Sequence, residues 1–130
     1  MDPTILVVDD DPHLREVIAD ALGDEGYDVR QAADGQRALE KIAEAAPDLV
    51  LSDISMPRLT GVELAERLSR RASPVPVVLM SATTIAPPVA TEMFLRKPFA
   101  LDELLGLVAS ALRKTSHSRR HDVGALQGGR

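Results

Sequence analysis

Three aspartates stand together at Asp9, Asp10 and Asp11, a fourth stands at Asp53, and a serine and a lysine follow at Ser81 and Lys97. Carboxylates grouped without a thiol or imidazole beside them make a hard oxygen site, which suits Mg²⁺ rather than Zn²⁺ or copper. The chain has no cysteine, and its histidines, His13, His117 and His121, lack a metal-ligand arrangement. A carboxylate is already an anion and needs no general base to act as a nucleophile, but it repels an anionic phosphoryl group. A divalent cation between the two, an ammonium such as that of Lys97 and a hydroxyl donor such as that of Ser81 would offset the repulsion. These residue types suit phosphoryl transfer to a carboxylate.

They can act together only if the fold gathers them. Apolar runs at Thr4 to Val8, Val29 to Ala32, Leu49 to Leu51 and Val77 to Met80 are too short for helices and read as buried strands. Met93 to Arg96 reads as a short fifth strand. Helical spacing of three and four relates Leu14, Val17, Ile18, Ala21 and Leu22, then Ala38, Leu39 and Ile42, then Val62, Leu64, Ala65 and Leu68. A last helix over Leu101 to Leu112 carries Leu104, Leu105, Val108, Ala109 and Leu112 on one face. Asp11 before Pro12 and Asp34 predict helix N-caps, and Gly26 predicts a left-handed stop. Alternating strands and helices with nearly continuous apolar strands imply an α/β fold, a doubly wound (βα)₅ sandwich with one parallel sheet. Ligands of such sheets bind outside the carboxyl ends of the strands, and Asp9 to Asp11, Asp53, Ser81 and Lys97 all fall at those ends.

The 130 residues suit one domain with a closed core, and 45% of them are hydrophobic. The net charge of −5 argues against a general affinity for nucleic acid or anionic membranes. From Arg113 onward the chain carries a net +4, which leaves −9 on the first 112 residues. This asymmetry divides the chain into a domain over 1–114 and a disordered basic tail over 115–130. The tail lacks aromatics and any DNA-reading helix pattern, so no direct nucleic-acid contact is expected. With no cysteine and no long apolar segment near the start, a cytoplasmic location is expected.

The segments VVDDDP at 7–12, LSDISMPRLTG at 51–61, MSA at 80–82 and KPF at 97–99 follow one another at successive strand ends. Through them the chain resembles the receiver domains of two-component response regulators, over residues 4 to about 114. The resemblance implies a flavodoxin-like sandwich with strand order 2-1-3-4-5. It makes Asp53 the phosphorylation site and a Mg²⁺ ligand, Asp10 a direct ligand, Asp9 an acid acting through a metal-bound water, and Ser55 a ligand through its backbone carbonyl. Lys97 would pair with the phosphoryl group, Ser81 would donate to it in the active state, and Phe94 would change rotamer on switching. The Lys97–Pro98 peptide would be cis. The phosphoryl group would come from a sensor histidine kinase or a histidine phosphotransfer protein. Catalysis would be confined to the domain's own phosphorylation and dephosphorylation, and the modified domain would change its binding to a downstream protein. The domain would be a monomer or a weak phosphorylation-dependent dimer.

Two other functions compete. Asp9-x-Asp11 after a first strand superficially matches a haloacid-dehalogenase-like phosphatase, although no later acidic pair completes that site. A degenerate receiver acting only as a protein-interaction module is the other alternative. The chain also departs from the receiver pattern, since only fifteen residues, Ala82 to Arg96, separate Ser81 from Lys97. A crossover from Ala82 to Glu92 sits near the lower limit of roughly 10 to 12 residues for one that includes a helix. Pro87 and Pro88 lie in its middle and prevent a helix from starting earlier. The fourth of the five expected helices is therefore predicted to be short or absent and its segment mobile, altering the partner surface that this helix usually helps to form.

Overall fold

A computed structural model describes residues 2–56, 58–82 and 94–127, with side chains as far as Lys114. The elements alternate along the chain: β1 (Thr4–Val8), α1 (Pro12–Asp24), β2 (Asp28–Ala32), α2 (Gly35–Glu44), β3 (Leu49–Asp53), α3 (Gly61–Ser69), β4 (Val77–Ser81), β5 (Phe94–Arg96) and α4 (Leu101–Gln127). The five strands form one sheet in the order β2-β1-β3-β4-β5, and every neighbouring pair is parallel.

Alternation of side chains along each strand divides the core into two layers. Leu6, Val8, Val50 and Leu79 pack against α2 and α3, which contribute Ala38, Ile42, Leu64 and Leu68. Ile5, Val7, Leu49, Leu51, Val78 and Met80 face the other way onto Ile18 and Leu22 of α1 and Leu104, Val108 and Ala111 of α4. β3 and β4 are buried along their whole length, which is why both read as unbroken apolar runs up to the polar residues that end them, Ser52 and Asp53 in β3 and Ser81 in β4.

The helix starts follow the expected chemistry. The Asp11 side chain accepts from the backbone N–H groups of His13 and Leu14, at 3.0 and 3.3 Å, with Pro12 at the first helical position. Asp34 accepts from Arg37 N–H at 2.8 Å, and Gly26 ends the α1 turn at φ +95°. Thr60 and Glu63 cap α3 reciprocally: Thr60 Oγ1 accepts from Glu63 N–H, and Glu63 Oε1 accepts from Thr60 N–H. This holds the exposed Glu63 carboxyl below its ordinary range.

The end of the last helix differs from the sequence reading. The last helix was expected over 101–112 but its backbone runs to Gln127; no proline breaks it, and Gly106 and Gly124 are carried within it. Its inner stripe uses Leu104, Val108 and Ala111, all fully buried, with Ala111 rather than Ala109 as the third member. Four helices lie among the described residues, none of them between β4 and β5. Twelve residues join those strands. The predicted short helix and mobile segment fall on residues 83–93, outside the described residues. Among the described residues, no helix is long and apolar enough to cross a membrane.

Candidate functional site

Parallel pairing fixes the site before any side chain is considered. With β1, β3, β4 and β5 running the same way, Asp9 just beyond β1, Asp53 and Ser81 at the last residues of β3 and β4, and Lys97 just after β5 emerge at one sheet edge. The backbone binds these ends together. Asp9 N–H donates to Ala32 O at 3.2 Å, Ile54 N–H to Met80 O at 2.9 Å, and Lys97 N–H to Ser81 O at 2.8 Å.

Carboxylate oxygens of Asp9, Asp10 and Asp53 all lie within 4.8 Å of one another. Asp9 and Asp53 are buried and Asp10 is exposed. Lys97 Nζ reaches Asp9 Oδ2 at 3.3 Å and Asp53 Oδ1 at 3.5 Å. Asp9 also accepts from Asp11 N–H at 2.9 Å. One ammonium thus faces three carboxylates, an excess of negative charge that a cation can neutralise. The donor set is all oxygen and partly open to solvent, which fits a hard divalent cation that keeps some of its water. Asp9, Asp10 and Asp53 can bind a metal.

The site leaves a trace in proton affinity. Burial pushes the Asp53 carboxyl above its ordinary value, and the neighbouring Asp9 charge adds to this; Lys97 and the Ser55 N–H oppose it. A carboxyl that holds its proton more tightly in the folded state stabilises the fold below the ordinary value of 3.8, and that contribution is lost as pH rises through the folded pKa. Without divalent cations, the Asp53→Asn protein is therefore expected to gain in stability relative to wild type as pH rises through this window. Urea denaturation of both proteins across pH measures it, and a difference independent of pH would contradict it.

The remaining predicted residues divide. Ser81 is buried at the end of β4, and the Lys97–Pro98 peptide is cis. Phe94 opens β5, half-buried against the core layer that faces α2 and α3. Ser55 is exposed in the loop after β3, with its N–H on the Asp53 carboxylate. Asp11 spends its carboxylate on capping α1, and the acidic cluster is formed by Asp9, Asp10 and Asp53 rather than by the Asp9-x-Asp11 pair behind the phosphatase alternative.

Arg15 escaped the sequence reading, and Gly61 entered it only as the last residue of the LSDISMPRLTG segment, without a supporting role. The Arg15 guanidinium donates through Nη1 to the carbonyl oxygen of Asp9 at 2.8 Å. Gly61 sits against the backbone of Asp53: a Cβ there would run into the Asp53 carbonyl oxygen and come within 2.9 Å of Ile54 Cα. Gly61 N–H also closes the loop on Ile54 O at 2.9 Å. The signal for Gly61 was the position of a glycine eight residues beyond the strand-end aspartate, at the first turn of α3.

Known proteins bear on this arrangement. A family model described as the response regulator receiver domain matches residues 5–109. Response regulator MprA of Mycobacterium sp. (strain KMS) is 40% identical over 128 residues, which are 94% of this chain and 56% of that protein. The chain thus spans about half the length of the curated relatives it matches. Among solved structures, the receiver domain of NtrX from Brucella abortus superposes with a TM-score of 0.77 at 36% identity, covering 84% of this chain and 98% of that one. The chemotaxis response regulator CheY4 of Vibrio cholerae gives a TM-score of 0.78 at 29% identity, over 85% and 99% of the two chains.

Proposed function

The chain belongs to the response regulator receiver domain family, and from that premise we propose that it accepts a phosphoryl group on Asp53 in a Mg²⁺-dependent reaction. The observation that carries this reading is the meeting of the three carboxylates Asp9, Asp10 and Asp53 with Lys97 at the carboxyl edge of the sheet. The phosphodonor is a sensor histidine kinase or histidine phosphotransfer protein, and the modified domain changes its affinity for a downstream protein. We place it in the cytoplasm, with the domain over 1–114 and the basic segment over 115–130 outside it.

In the reaction an Asp53 carboxylate oxygen attacks phosphorus in line with the bond to the donor. A P–O bond forms, the donor bond breaks, and its electron pair leaves with the donor group. Asp10, Asp53 and the Ser55 carbonyl would hold the cation directly and Asp9 through water. When bound, Mg²⁺ supplies positive charge that offsets the repulsion between carboxylate and phosphoryl oxygens. Lys97 contributes the second positive charge, moving from its pair with Asp9 and Asp53 onto a phosphoryl oxygen, and the Ser81 hydroxyl donates to another. Lys97 and Ser81 are thereby catalytic, and Ser81 with Phe94 forms the switch. Adding a phosphoryl charge at the end of β3 biases a two-state partner-binding surface. The protein remains its own substrate.

Incubation with acetyl phosphate and Mg²⁺ followed by intact-mass measurement tests the proposal. One phosphoryl group per chain, with no sustained release of phosphate from monoesters, is expected. A chain that takes no phosphoryl group would instead be a degenerate receiver that binds partners unmodified.

The division of metal duties has its own expected result. Asp10→Asn weakens Mg²⁺ binding more than Asp9→Asn, because a direct ligand loses more than one acting through water. Second-layer changes in metal sites typically cost about 10-fold or more, so the Asp10 variant is expected beyond that. Mg²⁺ titration monitored by NMR shifts gives both constants, and equal or reversed losses would show the roles exchanged.

A further inference from the structure

We propose that Arg15 is a positioning residue for the metal site, acting through the backbone of Asp9 to aim Asp10; this rests on the reading of the acidic cluster as a cation site. Arg15 closes the first turn of α1 and is half-buried. Its guanidinium is fixed at two points: Nη1 donates to the Asp9 carbonyl oxygen at 2.8 Å and Nε donates to Gln31 Oε1, on β2, at 3.2 Å. The peptide it grips is the one joining Asp9 to Asp10.

The rest of Asp9 is already tied. Its N–H donates to Ala32 O, and its carboxylate is held by Lys97 and by Asp11 N–H. Among the described residues no such tie is seen on Asp10, which is exposed, so the orientation of its carboxylate depends on the plane of the Asp9–Asp10 peptide. A planar, charged donor held at two points is well suited to fix that plane, since the fork of Arg is preorganised where a lysine ammonium is not.

Charge and geometry predict opposite signs here, which makes the proposal testable. Arg15 is a cation close to a cation site. If it acted only through its charge, removing it would strengthen Mg²⁺ binding. If it positions the peptide, removing it weakens binding.

The test is titration of the full chain with Mg²⁺, followed by backbone amide shifts, on wild type, Arg15→Ala, Arg15→Lys and Gln31→Ala, with urea unfolding of each. The expected result is a Kd raised about 10-fold in Arg15→Ala, partly recovered in Arg15→Lys, and raised less in Gln31→Ala, where the charge stays but one anchor is lost. An unchanged or lowered Kd in Arg15→Ala overturns the proposal while leaving the metal reading intact. Should Arg15→Ala fail to fold, Gln31→Ala decides: weaker Mg²⁺ binding at an unchanged unfolding midpoint supports the role, and unchanged binding overturns it. A wild-type chain with no saturable Mg²⁺-dependent shift overturns both the metal reading and this inference.

Discussion

Asp53→Ala is expected to reduce phosphoryl incorporation from acetyl phosphate to background while leaving the fold intact and the unfolding midpoint equal to or above that of wild type. The first part follows from loss of the nucleophile. The second follows from the electrostatics: Asp53 is buried beside Asp9, and burial with that neighbouring charge already holds its carboxyl above the ordinary range. Removing it takes one repelling charge from the cluster, and Lys97 keeps Asp9 as a partner at 3.3 Å. Intact mass and urea unfolding of the same sample read both effects. An adduct of wild-type yield would remove Asp53 as acceptor; a large fall in stability would show that its carboxylate is a structural partner of Lys97.

Gly61→Ala is expected to have the largest effect on stability among single-methyl additions at the site. The new methyl group would meet backbone atoms of Asp53 and Ile54 rather than a side chain able to turn aside. Overpacking of this kind costs about 1–3 kcal/mol and sometimes more, and relief requires moving the end of β3 or the start of α3. Either movement displaces the acceptor carboxylate, so slower phosphorylation should accompany the loss of stability. Gly23→Ala is the control, because a Cβ there meets nothing within 4 Å. Its urea midpoint should equal or exceed that of wild type. If Gly61→Ala unfolds at the wild-type midpoint and is phosphorylated at the wild-type rate, the close approach to Asp53 has no consequence.

Much of the fold was legible because its signals are local. Short apolar runs such as Val77 to Met80, too short for a helix and preceded by Pro74 and Pro76, read as buried strand, and Asp11-Pro12 announces a helix start. The strand-end aspartates were legible for a different reason: charge has no place at the end of a fully buried strand unless something compensates it. Strand order was not local, and resemblance supplied it. The support around the site stayed hidden because it depends on distance across the fold. Nothing in Arg15's neighbours along the chain predicts that its guanidinium bridges Asp9 and Gln31, and a glycine is silent about what its missing Cβ would strike. The Thr60–Glu63 capping box also went unread, although its Thr-x-x-Glu spacing is a local signal. The end of the last helix was misjudged because a Ser-, His- and Arg-rich composition argues for solvent exposure and says little against helix.

The central claim is that Asp53 carries the phosphoryl group, and reductive trapping tests it most directly. An acyl phosphate is reduced by borohydride to the alcohol, so a phosphorylated aspartate becomes homoserine, which peptide mass spectrometry can place. After treatment with acetyl phosphate and Mg²⁺, conversion is predicted at position 53 alone, and it should vanish when the cation is removed with a chelator. Conversion at Asp9 or Asp10, or no conversion in a chain that binds Mg²⁺, would contradict the account.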